Sequence, residues 1–339
     1  MESFDAVVVV SFGGPQGMDD VLPFLDNVLR GRNVPEERKR EVAGHYASFD
    51  GVSPINAQNR AFVGCLGDAL HARGFDLPVY LGNRNWHPYL ADTVRSMQRD
   101  GVRRALAFVT SAFGSYSGCR QYTEDIVRAR AEVGDGAPEV SRLRAFFNHP
   151  SFVEACGDRV REAFGRIPES EGPARLVFTA HSIPLGMAAG SPYVERLRET
   201  CRLTAERVGR VPWDLAWQSR SGPPSQPWLE PDVGAHLETL HAQGVRSVVL
   251  MPIGFLSDHL EVVFDLDTEL QSHARRIGVH VERAETVGTH ATFVSMVVDL
   301  VEERLTNRPR LAVGNMLAPN DVCPLDCCPA PQRPPARPA

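Results

Sequence analysis

The chain repeats itself, and that repeat limits its fold more than any other feature. "DGVRRALAFVTSAF" (Asp100 to Phe113) and "QGVRSVVLMPIGFL" (Gln243 to Leu256) run in the same order: helix end, Gly turn, basic position, apolar strand, loop. "VVVVSFGGP" (Val7 to Pro15) and "LVFTAHSIP" (Leu176 to Pro184) match in the same way, each an apolar strand entering a loop closed by proline. Short Val-rich runs at Ala6 to Val10, Ala105 to Val109, Leu176 to Thr179 and Val245 to Leu250 alternate with longer stretches of helical period. Such alternation belongs to parallel, doubly wound α/β sheets. The fold class expected is therefore α/β, with two similar Rossmann-like halves over residues 1–150 and 151–315 and a tail over 316–339.

Open sheets of this kind bind ligands beyond the carboxyl ends of their strands, so the residues after the strands matter most. Phe12 and His181 hold equivalent places, three residues before the matched prolines. If the halves face one another, a phenyl ring and an imidazole would approach a ligand from opposite sides. "PIGFLSDHLEVVFDLDTEL" leaves a strand and continues as a helix, with Glu261, Asp265 and Glu269 at intervals of four on one face beside Asp258 and His259. A histidine facing a carboxylate can hold a divalent metal weakly and accept protons. No H-E-x-x-H or paired C-x-x-C motif is present, so this is not the spacing of a closed zinc site.

Polar and basic loop residues form a third group: Arg30 and Arg32 in "VLRGRN", Ser53 in "GVSPIN", Arg84 in "GNRNWHP", and Arg120 with Tyr122 in "SGCRQYTED". Guanidinium and hydroxyl groups at strand exits suit carboxylates. With Phe12, Tyr46, Trp86 and Tyr116 they suggest a wide cleft for a flat, anionic, aromatic ligand. "SFGGPQG" is no nucleotide loop, since it lacks both G-x-G-x-x-G and the P-loop Lys-Ser/Thr, and Pro15 removes a donor.

Composition excludes other classes. Of the 339 residues 43% are hydrophobic, which suits a packed core; a formal charge of -6 argues against nucleic acid as a partner. Glu2 and Asp5 precede a short apolar run where a signal peptide would be basic. No run is long and apolar enough to span a bilayer, which places the protein in the cytoplasm without membrane insertion. There an odd count of seven cysteines favours thiols or metal ligation over disulfides. Three of them, Cys323, Cys327 and Cys328, share the last 21 residues with seven prolines. C-x3-C-C spacing supplies all but one ligand of a four-thiolate zinc or iron-sulfur site, the fourth coming from among Cys65, Cys119, Cys156 and Cys201.

The motifs "VSFGGPQGMDDVLPFLDNVLRGRNVP", "DGVSPINAQN", "GNRNWHPYLADT", "LVFTAHSIP", "WQSRSGPPSQPWLEPD" and "IGFLSDHLEVVFDLD" together resemble the ferrochelatases over nearly the whole chain, most closely the actinobacterial type. The resemblance implies two Rossmann-like halves around a porphyrin cleft and insertion of Fe2+ without ATP or a redox cofactor. It assigns metal and proton handling to His181 and Glu261, with Asp265 and Glu269 as an acidic track for the incoming ion. Ser53 and Tyr122 match hydroxyl residues that hold propionates, and Arg30 matches a basic residue at the cleft mouth. Phe12 stands where some relatives carry a tyrosine able to ligate iron. The charged segment Gln16 to Asn33 lacks the long apolar lip of membrane-attached members and favours the tetra-anionic coproporphyrin III over protoporphyrin IX. Coprohaem would then pass from this monomer to a decarboxylase, the porphyrin having come from a porphyrinogen oxidase. Chelatases loading cobalt or nickel into other tetrapyrroles are the nearest alternative, followed by a metal-dependent hydrolase or a non-enzymatic haem carrier. Cysteine-bearing relatives hold a [2Fe-2S] cluster, which implies the ligand set Cys156, Cys323, Cys327 and Cys328.

Overall fold

A computed structural model describes residues 3–31, 34–223, 225–324 and 326–330; Arg32 and the end of the tail fall outside the described residues. The first half runs β1 (Ala6–Ser11), α1 (Met18–Leu29), α2 (Glu36–Ala47), α3 (Ile55–Ala72), β2 (Val79–Asn83), α4 (Leu90–Arg99), β3 (Arg104–Val109), α5 (Gln121–Val133) and β4 (Glu139–Arg142). The second runs α6 (Pro150–Arg166), β5 (Arg175–His181), α7 (Leu185–Ala189), α8 (Tyr193–Arg207), β6 (Trp213–Gln218), α9 (Val233–Ala242), β7 (Ser247–Met251), α10 (Leu260–Val262), α11 (Gln271–Ile277), β8 (His280–Arg283) and α12 (Ala291–Thr306). Two widened π-helical turns, Tyr116–Arg120 and Val263–Leu270, follow the exits of β3 and β7.

The internal repeat is visible in the topology. Each sheet is four-stranded and parallel, ordered β2-β1-β3-β4 and β6-β5-β7-β8, so the four repeated strands β1, β3, β5 and β7 are the central ones. The repeated glycines have a backbone reason: Gly101 and Gly244 close α4 and α9 at φ 80 and φ 90, a region that side chains with a Cβ disfavour.

Central strands are covered on both faces, which is why they read as unbroken apolar runs. Val7 and Val9 of β1 and Leu176, Phe178 and Ala180 of β5 point into one shared core lined by α3, α6, α8 and α12. Val8 and Val10 point instead toward α4 and α5, and Val177 toward α9 and α11. Strand alternation thus produces five layers, helix–sheet–helix–sheet–helix. In the middle layer Phe146 meets Phe108 and Phe152 at centroid separations of 5.4 and 5.3 Å. Truncating one such ring to Ala costs about 3–5 kcal/mol. α12 packs on both α3 and α6, so the last helix of the second half ties it to the first.

After α12 the tail is docked along the body. Arg144 and Glu303 form a two-pronged buried ion pair at 2.7 and 2.8 Å, and Glu303 also accepts from Leu311 N. Val313 N donates to Asn148 O, Asn148 Nδ2 to Met316 O, and Asn315 N to Glu199. Among the described residues no helix is long and apolar enough to cross a membrane.

Candidate active site

His181 is the last residue of β5, one step earlier than a loop position. Its backbone is fixed on both sides: it pairs with Gln218 of β6, and its carbonyl accepts from Tyr193 Oη at 2.9 Å. The ring is oriented by an Nδ1 contact of 2.5 Å to Ser182 O. A carbonyl only accepts, so Nδ1 carries hydrogen and Nε2 is the nitrogen left for chemistry. It lies 3.3 Å from Glu261 Oε1.

Glu261 is set by its own short turn and by β6. His259 caps that turn, its Nδ1 accepting from Glu261 N at 3.1 Å, and Gln218 Nε2 donates to Glu261 O at 2.6 Å. Gln218 therefore registers both partners. Burial opposes charge on His181, but the charge and hydrogen bond of Glu261, helped by Ser182 O and Asp265, win and push it up to about 9. Glu261 is also opposed by burial, and His181 pulls it down to about 2. The resting state is imidazolium facing carboxylate. His259 goes the other way: burial, with the positive neighbour His181, lowers it despite Glu261.

Asp265 stands in the widened turn, its carboxylate accepting from Ser219 Oγ just past β6. Burial, with the charges of Glu261 and Glu269, pushes it up to about 7 against the Ser219 bond. Glu269 is exposed at the far end. Three carboxylates thus run from solvent to His181, as the four-residue spacing suggests, although the turn carrying them is π-helical rather than α-helical.

The opposite wall comes from the first half. Phe12, 37% exposed, meets Phe24 edge-on at 6.2 Å, and Phe24 meets Tyr46 and Trp86 in the same manner. Tyr46 feels the charge of Glu261. Leu260 packs into this cluster, and Phe264 stacks on His45 at 4.0 Å. The two halves are therefore in contact immediately around Glu261.

Residues 4–305 match the family model described as Ferrochelatase. The chain belongs to the ferrochelatase family. It is 55% identical over 335 residues to the ferrochelatase of Rhodopirellula baltica, covering 98% of this chain and 95% of that one. It is 50% identical to the coproporphyrin III ferrochelatase of Nocardia farcinica, covering 98% of each. Among solved structures, SirB from Bacillus subtilis with Fe3+ shares the fold at a TM-score of 0.57 and 14% identity, covering 90% of this chain and 97% of that one.

For this ferrochelatase-family chain, the remaining residues singled out in the sequence divide. Arg30 is exposed at the end of α1, donating to Asn27. Ser53 is buried against Gly14, where an added Cβ would come within 2.6 Å of Ser53 Cβ. Tyr122 is buried with the Arg84 guanidinium 4.4 Å above its ring. Two arginines read as carboxylate ligands are engaged inside the protein. The Arg84 side chain is largely enclosed and paired with Asp125, and Arg120 bonds Glu124 and the carbonyl of Cys327. Gln218 and Ser219 are site residues that spacing did not single out, their only signal being their place in "WQSRSG"; His259 was noted beside Glu261 but not for its capping role.

The tail thiols meet a different body cysteine from the one implied by resemblance. Cys156 is fully buried within α6, desolvation raises its thiol, and its thiol neighbour is Cys201. Cys119, on the Tyr116–Arg120 turn, feels Cys328, which lies 3.6 Å from Cys327, and Cys323 feels both Cys327 and Cys119. Cys328, with Arg142 and Arg196, lowers the Cys119 thiol against burial. Arg142 Nη1 lies 3.3 Å from its sulfur. Among the described residues no three His, Cys, Asp or Glu side chains gather tightly enough to hold a single ion.

Proposed function

We propose that this chain inserts Fe2+ into coproporphyrin III, releasing coprohaem. The observation that carries the reaction is the His181–Glu261 pair, closed on one side by an apolar wall and reached on the other by Asp265 and Glu269. Insertion exchanges one divalent cation for two pyrrole protons, so the site must deliver the ion and remove the protons. At rest Nε2 holds a proton against Glu261. An arriving cation is drawn along the carboxylates and takes the place of that proton, shared between Nε2 and a Glu261 oxygen. When the metal passes to the macrocycle, both groups are free to receive pyrrole protons. Asp265, pushed up to about 7, suits it to relay them outward to Glu269 near neutrality. Phe12, backed by the buried Phe24, Tyr46 and Trp86, gives a flat ring an apolar surface and offers no axial ligand.

Coproporphyrin III is favoured because relatives at about half identity over nearly full length bear that name, those of Nocardia farcinica and Mycolicibacterium vanbaalenii among them. Arg30 is the residue suited to propionates at the mouth, and Ser53 and Tyr122 would line the floor beneath them. On this reading the enzyme works in the cytoplasm as a monomer, between a porphyrinogen oxidase and a coprohaem decarboxylase. Anaerobic assays of the purified chain, following porphyrin fluorescence with Fe2+, test it. A higher kcat/KM for coproporphyrin III than for protoporphyrin IX is expected; the reverse order would refute the specificity, and absence of insertion would refute the activity.

The neighbouring thiols, with Arg142 beside Cys119, support a [2Fe-2S] cluster, which takes four thiolates. Cys119, Cys323, Cys327 and Cys328 would hold it, with Arg142 donating to Cys119 Sγ. Such a cluster would supply a covalent tie between the tail and the β3 exit.

A further inference from the structure

The segment carrying Glu261 is braced by four polar side chains that touch neither His181 nor Glu261. Arg283, the last residue of β8, grips Asp267 of the widened turn with two nitrogens, at 2.5 and 2.9 Å. Its third nitrogen reaches Asp258 Oδ1 at 3.3 Å. Asp258 is held from the other half: its backbone N–H donates to Gln58 Oε1 of α3 at 2.8 Å, and its Oδ2 lies 3.4 Å from Gln58 Nε2. Arg283 thus spans both ends of the segment, with Asp258 three residues before Glu261 and Asp267 two after Asp265.

We propose that Arg283 is a positioning residue for metal delivery, setting Glu261 and Asp265 against His181 through its hold on Asp258 and Asp267, with Gln58 extending that hold to the first half. The segment needs such a hold. Its apolar side is anchored by Val262, Leu266 and Leu270, but the turn between is π-helical, a form that occurs as short stretches and leaves backbone geometry to its surroundings. Asp258 and Asp267 would repel one another across the gap without the cation between them. The planar fork of Arg matches a carboxylate at two points, which a lysine cannot reproduce. Because Gln58 belongs to the other half, the brace also fixes how closely the apolar wall approaches the pair.

The inference rests on the metal-insertion reading, and its test has a readout independent of turnover. The variants Arg283→Met, Arg283→Lys and Asp267→Asn would be made in the full chain. The titration of His181 is followed by NMR of 15N-histidine-labelled protein, alongside thermal unfolding, porphyrin binding by fluorescence and Fe2+ kinetics. If Arg283 positions Glu261, Arg283→Met lowers the His181 midpoint and cuts kcat/KM for Fe2+ by about tenfold to a hundredfold, while porphyrin Kd changes less than about twofold. Arg283→Lys restores part of each effect, and Asp267→Asn reproduces them if Arg283→Met fails to fold. A midpoint and a kcat/KM per folded molecule equal to wild type in the folded variants would overturn the inference, even where the melting temperature falls. A wild-type chain that inserts no metal would refute the activity instead, and the midpoints would still decide the role of Arg283.

Discussion

Replacing Glu261 with Gln removes one charge and keeps the shape, which isolates what the carboxylate does to His181. The pair is at 3.3 Å, and His181 is held at about 9 rather than its ordinary 6.5. At 1.36 kcal/mol per pH unit this corresponds to roughly 3 kcal/mol of preference for imidazolium. Glu261 keeps 45% of its side chain accessible, so water screens the pair, and roughly half of that figure is the expected loss. Glu261→Gln should therefore bring the His181 midpoint to roughly 8 or lower, with burial then acting unopposed by that charge. The signs for stability follow. His181, raised on folding, contributes fully below its unfolded value near 6.5 and loses the contribution as pH rises through about 9. Glu261, depressed on folding, contributes above about 4.5 and loses it as pH falls through about 2. The melting-temperature gap between wild type and Glu261→Gln should thus be widest between about pH 4.5 and 6.5 and close above about 9. An NMR titration of 15N-histidine-labelled protein measures the midpoint directly. A His181 midpoint still near 9 in the variant would refute the coupling and with it the imidazolium–carboxylate resting state.

Asp265→Ala or Glu269→Ala should raise the apparent KM for Fe2+ with little change in porphyrin affinity; the opposite pattern would contradict the acidic track. Because a proton competes with the metal for Nε2, the wild-type KM for Fe2+ should fall as pH rises from about 6.5 to 8.5, and a flat profile in metal-limited kinetics would argue against His181 as ligand. Cys119→Ser should abolish visible absorption and bound iron in anaerobically prepared protein while Cys156→Ser keeps both. Glu303→Gln breaks the buried pair with Arg144 and should cost about 3–5 kcal/mol in chemical unfolding.

The central strands were legible because burial on both faces leaves only apolar residues, and the halves because Gly101 and Gly244 cannot easily be replaced at positive φ. Edge strands such as β4 and β8 are short and half-buried, so nothing in their composition separates them from loops. His181 and Glu261 were legible as candidates because His181 ends a recognisable strand and Glu261 lies on the segment leaving another. The role of Gln218, their common register, was not, although the residue sits in the "WQSRSG" stretch: it depends on a backbone pairing and one side-chain bond, neither of which has a sequence signature. Arg84 shows the converse, since a charged loop residue announces itself but not the Asp125 that consumes it. The nearness of the tail thiols to Cys119 rather than Cys156 was hidden for the same reason. It depends on the path of the docked tail past Asn148 and Glu199, a set of backbone contacts that spacing does not encode.

Duplication also explains how one scaffold supports an asymmetric reaction. The exits of β1 and β5 are equivalent in topology, yet one presents Phe12 and the other His181; the exits of β3 and β7 both widen into π-helical turns, yet one presents Cys119 and the other Asp265. On the metal-insertion reading the second half carries the groups that exchange a cation for protons, and the first packs an apolar surface beside them. A flat macrocycle seated on that surface would exclude water and strengthen the pull of Glu261 on a cation and on His181 alike. The same wall that favours metal capture thus also favours the competing proton, and the balance between them is set by how far Asp265 can draw the displaced proton away.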